Sequence, residues 1–232
     1  MTDTLDDLMP GSSLGLAHRV RTPSVASESG SPCLILLHGV GANEVHLTDL
    51  ARQLDPRLTV LVARGPLEMG AARFGWFPVR FTPGGPVIDA AQAERAREAL
   101  ITFIDGLPAA YGIDRRRIWI GGFSQGGIMS ASVALTAPER VAGFAVMSGR
   151  VLPEIAARMA NPASLRHVRA FISHGIHDDK LGIQYARDAQ SLVSRLGLRV
   201  QYREYSAGHL LTDEMQQDFC GWLAEQISQR GA

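Results

Sequence analysis

Short apolar runs rich in branched residues alternate with stretches of helical periodicity along most of the chain, and few folds accommodate that rhythm. The runs are PCLILLHG, LTVLVARG, RIWIGG, VAGFAVMSG, VRAFISHG and RVQYREY. After the first, Leu47, Leu50, Ala51 and Leu54 recur at helical spacing. Leu100, Phe103, Ile104 and Leu107 mark one face of a helix over about residues 89–110, and Ile128, Ala131, Ser132 and Leu135 share a face of the next. Tyr185, Ala189, Leu192, Val193 and Leu196 define another, which Gly197 ends. Met215, Phe219, Trp222, Leu223 and Ile227 line the last, with Thr212 as its cap. Strands this apolar, separated by helices, predict an α/β class protein: a mostly parallel central sheet covered by helices on both faces. Residues 1–232 read as one domain, with 1–30 as an N-terminal strand and loop region. The Ser- and Pro-rich segment TPSVASESGSP, residues 22–32, reads as a turn or loop rather than a linker.

Sheets of this kind place their sites at the carboxyl ends of the strands. His38-Gly39, Ser124, Ser148-Gly149 and His174-Gly175 all follow strand ends, so they are expected to gather along one edge. Lys plus Arg and Asp plus Glu are both 23, and this balance argues against a nucleic-acid partner or an anionic membrane surface. The N-terminus carries early acids and no long apolar run, so neither a secretory signal nor stable membrane insertion is expected, and the cytoplasm is the default location. Cys33 and Cys220 read as two reduced thiols in or near the core.

Residues 64–86, RGPLEMGAARFGWFPVRFTPGGP, break the rhythm. Two readings are open for so long a loop: its aromatics line a pocket, or they bury themselves in a satellite core. On the first, Met69, Phe74, Trp76 and Phe77 are candidates for an acyl-binding wall.

The strand IWIGG hands over to a helix through Gly122-Phe123-Ser124-Gln125-Gly126, which fits G-x-S-x-G. At such a corner the turn must be tight enough to hold the serine clear of the sheet, and neighbouring strands leave no room for a Cβ at the flanking glycines. Serine is a weak nucleophile near neutral pH and needs a histidine oriented by a carboxylate. SHGIHDDKL places Asp178 and Asp179 after one strand, and SAGHLLTDE places His209 after the next, so the order serine, acid, histidine is available. The Gln125 N–H, at the positive end of a helix, and the Val40 N–H, in the turn His38-Gly39-Val40-Gly41, are candidates for the two donors of an oxyanion hole. That turn is not a dinucleotide fingerprint, because Glu44 stands at the third glycine position, and the chain has no G-x-x-x-x-G-K-[ST] phosphate loop.

Other assignments compete. His174 follows a buried strand and reads as a structural histidine, while His177 beside the acids reads as a surface residue. His174, His177 and Asp178 are also the basis of a metal-dependent hydrolase reading, although no further His/Cys cluster supplies the remaining ligands. A non-catalytic binding module on the same fold is the third possibility. His18, His46 and His167 lie in segments without other chemical signals.

Taken together, LLHGVG, GFSQGG, HGIHDD and AGHLL, in this order from about Pro32 to the final helix, resemble the phospholipase/carboxylesterase group of α/β-hydrolases, small serine esterases related to acyl-protein thioesterases. GFSQGG is the most specific piece. The resemblance implies an α/β-hydrolase fold without a large lid, Ser124 as nucleophile, Asp178 in preference to Asp179 as the acid, and His209 as the base. It further implies Val40 and Gln125 as the oxyanion-hole positions, carboxylic ester or acyl thioester substrates, no cofactor and no metal. The chain departs from the family pattern at Ala42-Asn43, at Leu181-Gly182 where D-x-x-V-P reads Asp178-Asp179-Lys180-Leu181-Gly182, and at Pro78 after Trp76-Phe77, leaving the triad positions untouched.

Overall fold

The computed structural model describes residues 4–12, 14–25 and 30–229. Residues 26–29 of the 22–32 turn lie outside it, as do residues 1–3. In chain order the strands are β1 (His18–Arg21), β2 (Ser31–Leu37), β3 (Thr59–Ala63), β4 (Leu67–Glu68), β5 (Phe74–Gly75), β6 (Val79–Thr82), β7 (Gly85–Ile88), β8 (Ile113–Phe123), β9 (Gly143–Met147), β10 (Arg169–Gly175) and β11 (Arg199–Tyr205). The α-helices are α1 (Thr48–Gln53), α2 (Ala90–Tyr111), α3 (Gln125–Thr136), α4 (Pro162–Leu165), α5 (Gln184–Arg195) and α6 (Asp213–Gln229).

One seven-stranded sheet, in the order β1-β3-β2-β8-β9-β10-β11, forms the frame. Only the β1–β3 pair within it is antiparallel. The period-two alternation of the strands divides the apolar residues between two cores. Cys33, Ile35 and Leu37 of β2, with Phe144 and Val146 of β9, face α2, α3 and α5. Leu34 and Leu36, with Ala145 and Met147, face α1 and α6. On that second side Phe171, Phe219 and Trp222 pack ring against ring, with centroids 5.6 to 6.1 Å apart, and fix α6 over β10. This is the α/β-hydrolase architecture, with helices on both faces and no large lid among the described residues.

The helix ends follow from local chemistry. The Asp89 carboxylate accepts the Gln92 N–H and starts α2, and Gly112 in the left-handed conformation ends it. The Thr212 hydroxyl accepts the Met215 N–H at the start of α6. Gly197, with φ +81°, follows α5. Two elements differ from the sequence reading. Every residue of α3 from Gln125 to Leu135 is buried, so that helix has no solvent face to give it an amphipathic stripe. The 64–86 segment is not a loop: β4 pairs with β5 and β6 with β7 in two small antiparallel ribbons. Strands of two to four residues are too short to print a period on the sequence.

Candidate active site

Four strand ends and the turns after them converge on one edge of the sheet, and the tightest is the corner between β8 and α3. Ser124 has φ +54° and ψ −116°, a conformation that L-residues rarely adopt. Its N–H is held by the Met147 carbonyl at 2.8 Å. The flanking glycines are required by backbone contact. A Cβ on Gly122 would sit 2.5 Å from the Gly126 carbonyl carbon and from the Leu37 oxygen, and a Cβ on Gly126 would collide with Leu37 O.

β10 and β11 run parallel with Gly175 beside Tyr205, so the loops that follow them emerge together. Asp178 and His209 lie in those loops. The Ser124 hydroxyl is 2.9 Å from His209 Nε2, and His209 Nδ1 is 2.7 Å from Asp178 Oδ2. A neutral ring with its proton on Nδ1 donates to the carboxylate and accepts the serine O–H. Phe123 packs at 5.0 Å between ring centroids against the same imidazole.

Asp178 is 7% exposed and thoroughly held. Its Oδ1 accepts the N–H groups of Lys180 and Leu181 at 2.9 and 2.8 Å. His174 Nε2, fully buried, lies 2.6 Å from the Leu181 carbonyl and 3.2 Å from Asp178 Oδ2, so its N–H serves both. Burial alone would push this carboxyl up, but the donors from His174, His209, Leu181 and Lys180 outweigh it and hold Asp178 well below the usual carboxylate range. Asp179 is exposed and pairs with Lys180. His177 points to the Ser206 hydroxyl at 3.4 Å instead of joining His174, and no group of three or more His, Cys, Asp or Glu side chains among the described residues is arranged to hold a metal ion.

The Val40 turn lies against the serine, since a Cβ on Gly39 would be 3.4 Å from that of Ser124. Neither the Val40 N–H nor the Gln125 N–H donates a hydrogen bond among the described residues. His38 anchors the turn: its Nδ1–H reaches Gly39 O at 2.8 Å and its Nε2 accepts Gly65 N–H at 2.9 Å. Burial pulls its pKa down to about 4, which keeps the ring neutral.

Three features escaped the sequence. The Gln125 side chain, not only its N–H, is structural: Oε1 accepts Trp76 N–H at 2.7 Å and Nε2 donates to Phe77 O at 2.7 Å, tying the corner to the ribbon segment. Glu44, 1% exposed, binds Arg64 at 2.7 Å and Arg19 at 3.2 Å, so the residue that breaks the dinucleotide pattern is an ionic anchor. Phe81, half exposed, lines both cavities beside Ser124.

One of those cavities, of about 600 Å³, contains His209, Val40, Leu47, Leu50, Phe123 and Leu211. The other, of about 20 Å³, contains Val40, Gln125 and Phe77. Of the four proposed wall residues, only Phe77 lines either of these two cavities. Met69 sits exposed between β4 and β5, Phe74 lies under the Arg64 guanidinium at 4.4 Å, and Trp76 is buried in the core with its Nε1–H on His38 O. Position in so short a segment does not separate an apolar ring that packs inward from one that lines a pocket.

The profile of the phospholipase/carboxylesterase family matches residues 22–227. The chain belongs to this family. Among curated family relatives, a probable carboxylesterase of Oryza sativa subsp. japonica is 26% identical over 71% of each chain. An acyl-protein thioesterase 1 of Eremothecium gossypii is 32% identical over 50% of this chain and 53% of its own. The crystal structure of a carboxylesterase from Mesorhizobium loti superposes with a TM-score of 0.79 at 26% identity, covering 94% of this chain and 98% of the other. No described helix is long and apolar enough to cross a membrane.

Proposed function

We propose that the protein is a serine hydrolase that cleaves small-molecule carboxylic esters, thioesters included, through an acyl-enzyme intermediate. The observation that carries this reading is the unbroken hydrogen-bonded line Ser124–His209–Asp178 beside two unengaged N–H groups. His209 Nε2 takes the Ser124 proton as the oxygen attacks the ester carbonyl, and the Val40 and Gln125 N–H groups receive the oxyanion. His209 then protonates the leaving alcohol or thiol. In the second half a water, deprotonated by His209, attacks the acyl carbon and releases the acid and Ser124. Asp178 fixes the tautomer and stabilises the imidazolium, which its low pKa suits it to do. Each step is served by this chain and water, with no cofactor.

Turnover of nitrophenyl esters and matched thioesters over a chain-length series tests the reading. Ser124→Ala and His209→Ala are expected to lower kcat by about 10⁶, and Asp178→Ala by about 10⁴. Unchanged turnover by folded Ser124→Ala protein would remove Ser124 from the reaction. The metal-dependent reading instead predicts loss of activity on chelation.

A further inference from the structure

β9 ends in Ser148-Gly149-Arg150, one strand away from the acid loop, and Arg150 is an anomaly. It is 8% exposed, yet among the described residues it has neither an acidic partner nor a hydrogen bond. Its Nε is sealed from solvent with nothing to donate to, and the guanidinium carbon lies 5.2 Å from the centre of the Tyr185 ring. Sealing the Nε–H of a guanidinium that has no counter-charge is unfavourable, and an aromatic face offsets only part of that cost. Elsewhere in the molecule the buried charge of Glu44 is met by two arginines.

Arg150 opens into the 20 Å³ cavity, where it is the only charged lining residue among those described. Ser124 and Val40 line both cavities, Gln125 lines only the small one and His209 only the large one. His209 must protonate the leaving group, so the alcohol or thiol occupies the large cavity and the acyl part points into the small one. A cavity this small admits an acyl chain of only a few heavy atoms.

We propose that Arg150 is a specificity-determining residue that selects short acyl groups ending in a carboxylate, so that the preferred substrates are half-esters or half-thioesters of short dicarboxylic acids. This rests on the serine hydrolase reading above. The reaction is ordinary hydrolysis: the bond between acyl carbon and leaving oxygen or sulfur breaks, water supplies the hydroxyl to the acid and the proton to the leaving group, and the distal carboxylate stays ionised against Arg150. Planar guanidinium and carboxylate match in a two-point contact that a methyl terminus cannot make.

Two esters of similar shape provide the test: monoethyl succinate and ethyl 4-methylpentanoate, in which an isopropyl group replaces the carboxylate. The wild-type kcat/KM is expected to favour the charged ester by about 10- to 100-fold, the range of a charge-assisted hydrogen bond. Arg150→Met is expected to bring the ratio to one or below, with Arg150→Lys between. Should Arg150→Met fail to fold, inhibition of the wild type decides: succinamate should compete with the neutral ester at least about 10-fold better than 4-methylpentanamide does. A wild-type ratio of one or less, equal inhibition by the two amides, or an unchanged ratio in folded Arg150→Met overturns the proposal. If neither ester is cleaved and a fluorophosphonate fails to label the protein, the hydrolase reading itself is what fails. Cleavage of the neutral ester without preference for the charged one defeats the Arg150 assignment alone.

Discussion

The corner at Ser124 and the segment from 64 to 88 wall the same serine by opposite means. In the corner, backbone lies on backbone: Gly122 against Gly126 and Leu37, Gly126 against Leu37 and His38. In the segment, two short ribbons hang on a few polar ties. These are Gln125 to Trp76 and Phe77, Glu44 to Arg64, His38 to Gly65, and the bridge in which Phe74 exchanges hydrogen bonds with Gly41 and Ala42. Steric exclusion leaves the corner almost no sequence freedom, whereas a hung wall can be reshaped one tie at a time.

Substitutions can break this comparison. The largest effect is expected from Gly126→Ala, whose Cβ meets the Leu37 carbonyl: a loss above about 4 kcal/mol or failure to fold. In the segment, Gly84→Ala has only the Thr82 hydroxyl within 4 Å of its new Cβ, at 3.8 Å, and should stay within about 0.5 kcal/mol. Urea unfolding of both variants checks the pair; equal losses would erase the distinction.

Acid tests the joint between the two regions. His38 protonates near 4 in the folded protein, against about 6.5 in an unfolded chain. The unfolded state therefore gains the proton first as pH falls. Stability is full above pH 6.5 and is lost between 6.5 and 4, by about 3 kcal/mol. Protonated Nε2 can no longer accept Gly65 N–H. Hydrogen exchange should consequently show residues 64–88 opening at pH 4.5 before the strands of the sheet do, and urea midpoints should fall over the same window. Midpoints that stay level across it would contradict the assignment.

A smaller effect is expected from Gln125→Ala, which leaves Trp76 N–H and Phe77 O unpaired in a buried place, at a cost of about 2 kcal/mol. Faster exchange confined to residues 76–77 and their ribbon neighbours would place the loss in the wall; uniform destabilisation would not.

The same contrast decides what the sequence could reveal. The strands, the major helices and the Ser124 corner were legible because each obeys a local rule: period, cap, or a glycine where nothing else fits. The proximity of Ser124, Asp178 and His209 was also legible, because a parallel sheet delivers successive strand ends to one edge. The walls were not. Trp76 turns inward and Phe74 packs under Arg64 with their backbones bonded to Gln125 and to the Val40 turn, partners distant in sequence. Arg150 and Phe81 line the cavities through packing alone, and no spacing in the sequence marks them.

Activation of Ser124 as a nucleophile by His209 is tested most directly by mass spectrometry of the protein treated with a fluorophosphonate. One adduct located on Ser124 is predicted in the wild type, with labelling slowed by orders of magnitude in folded His209→Ala. An adduct elsewhere, or labelling of Ser124 at the same rate without His209, would contradict it.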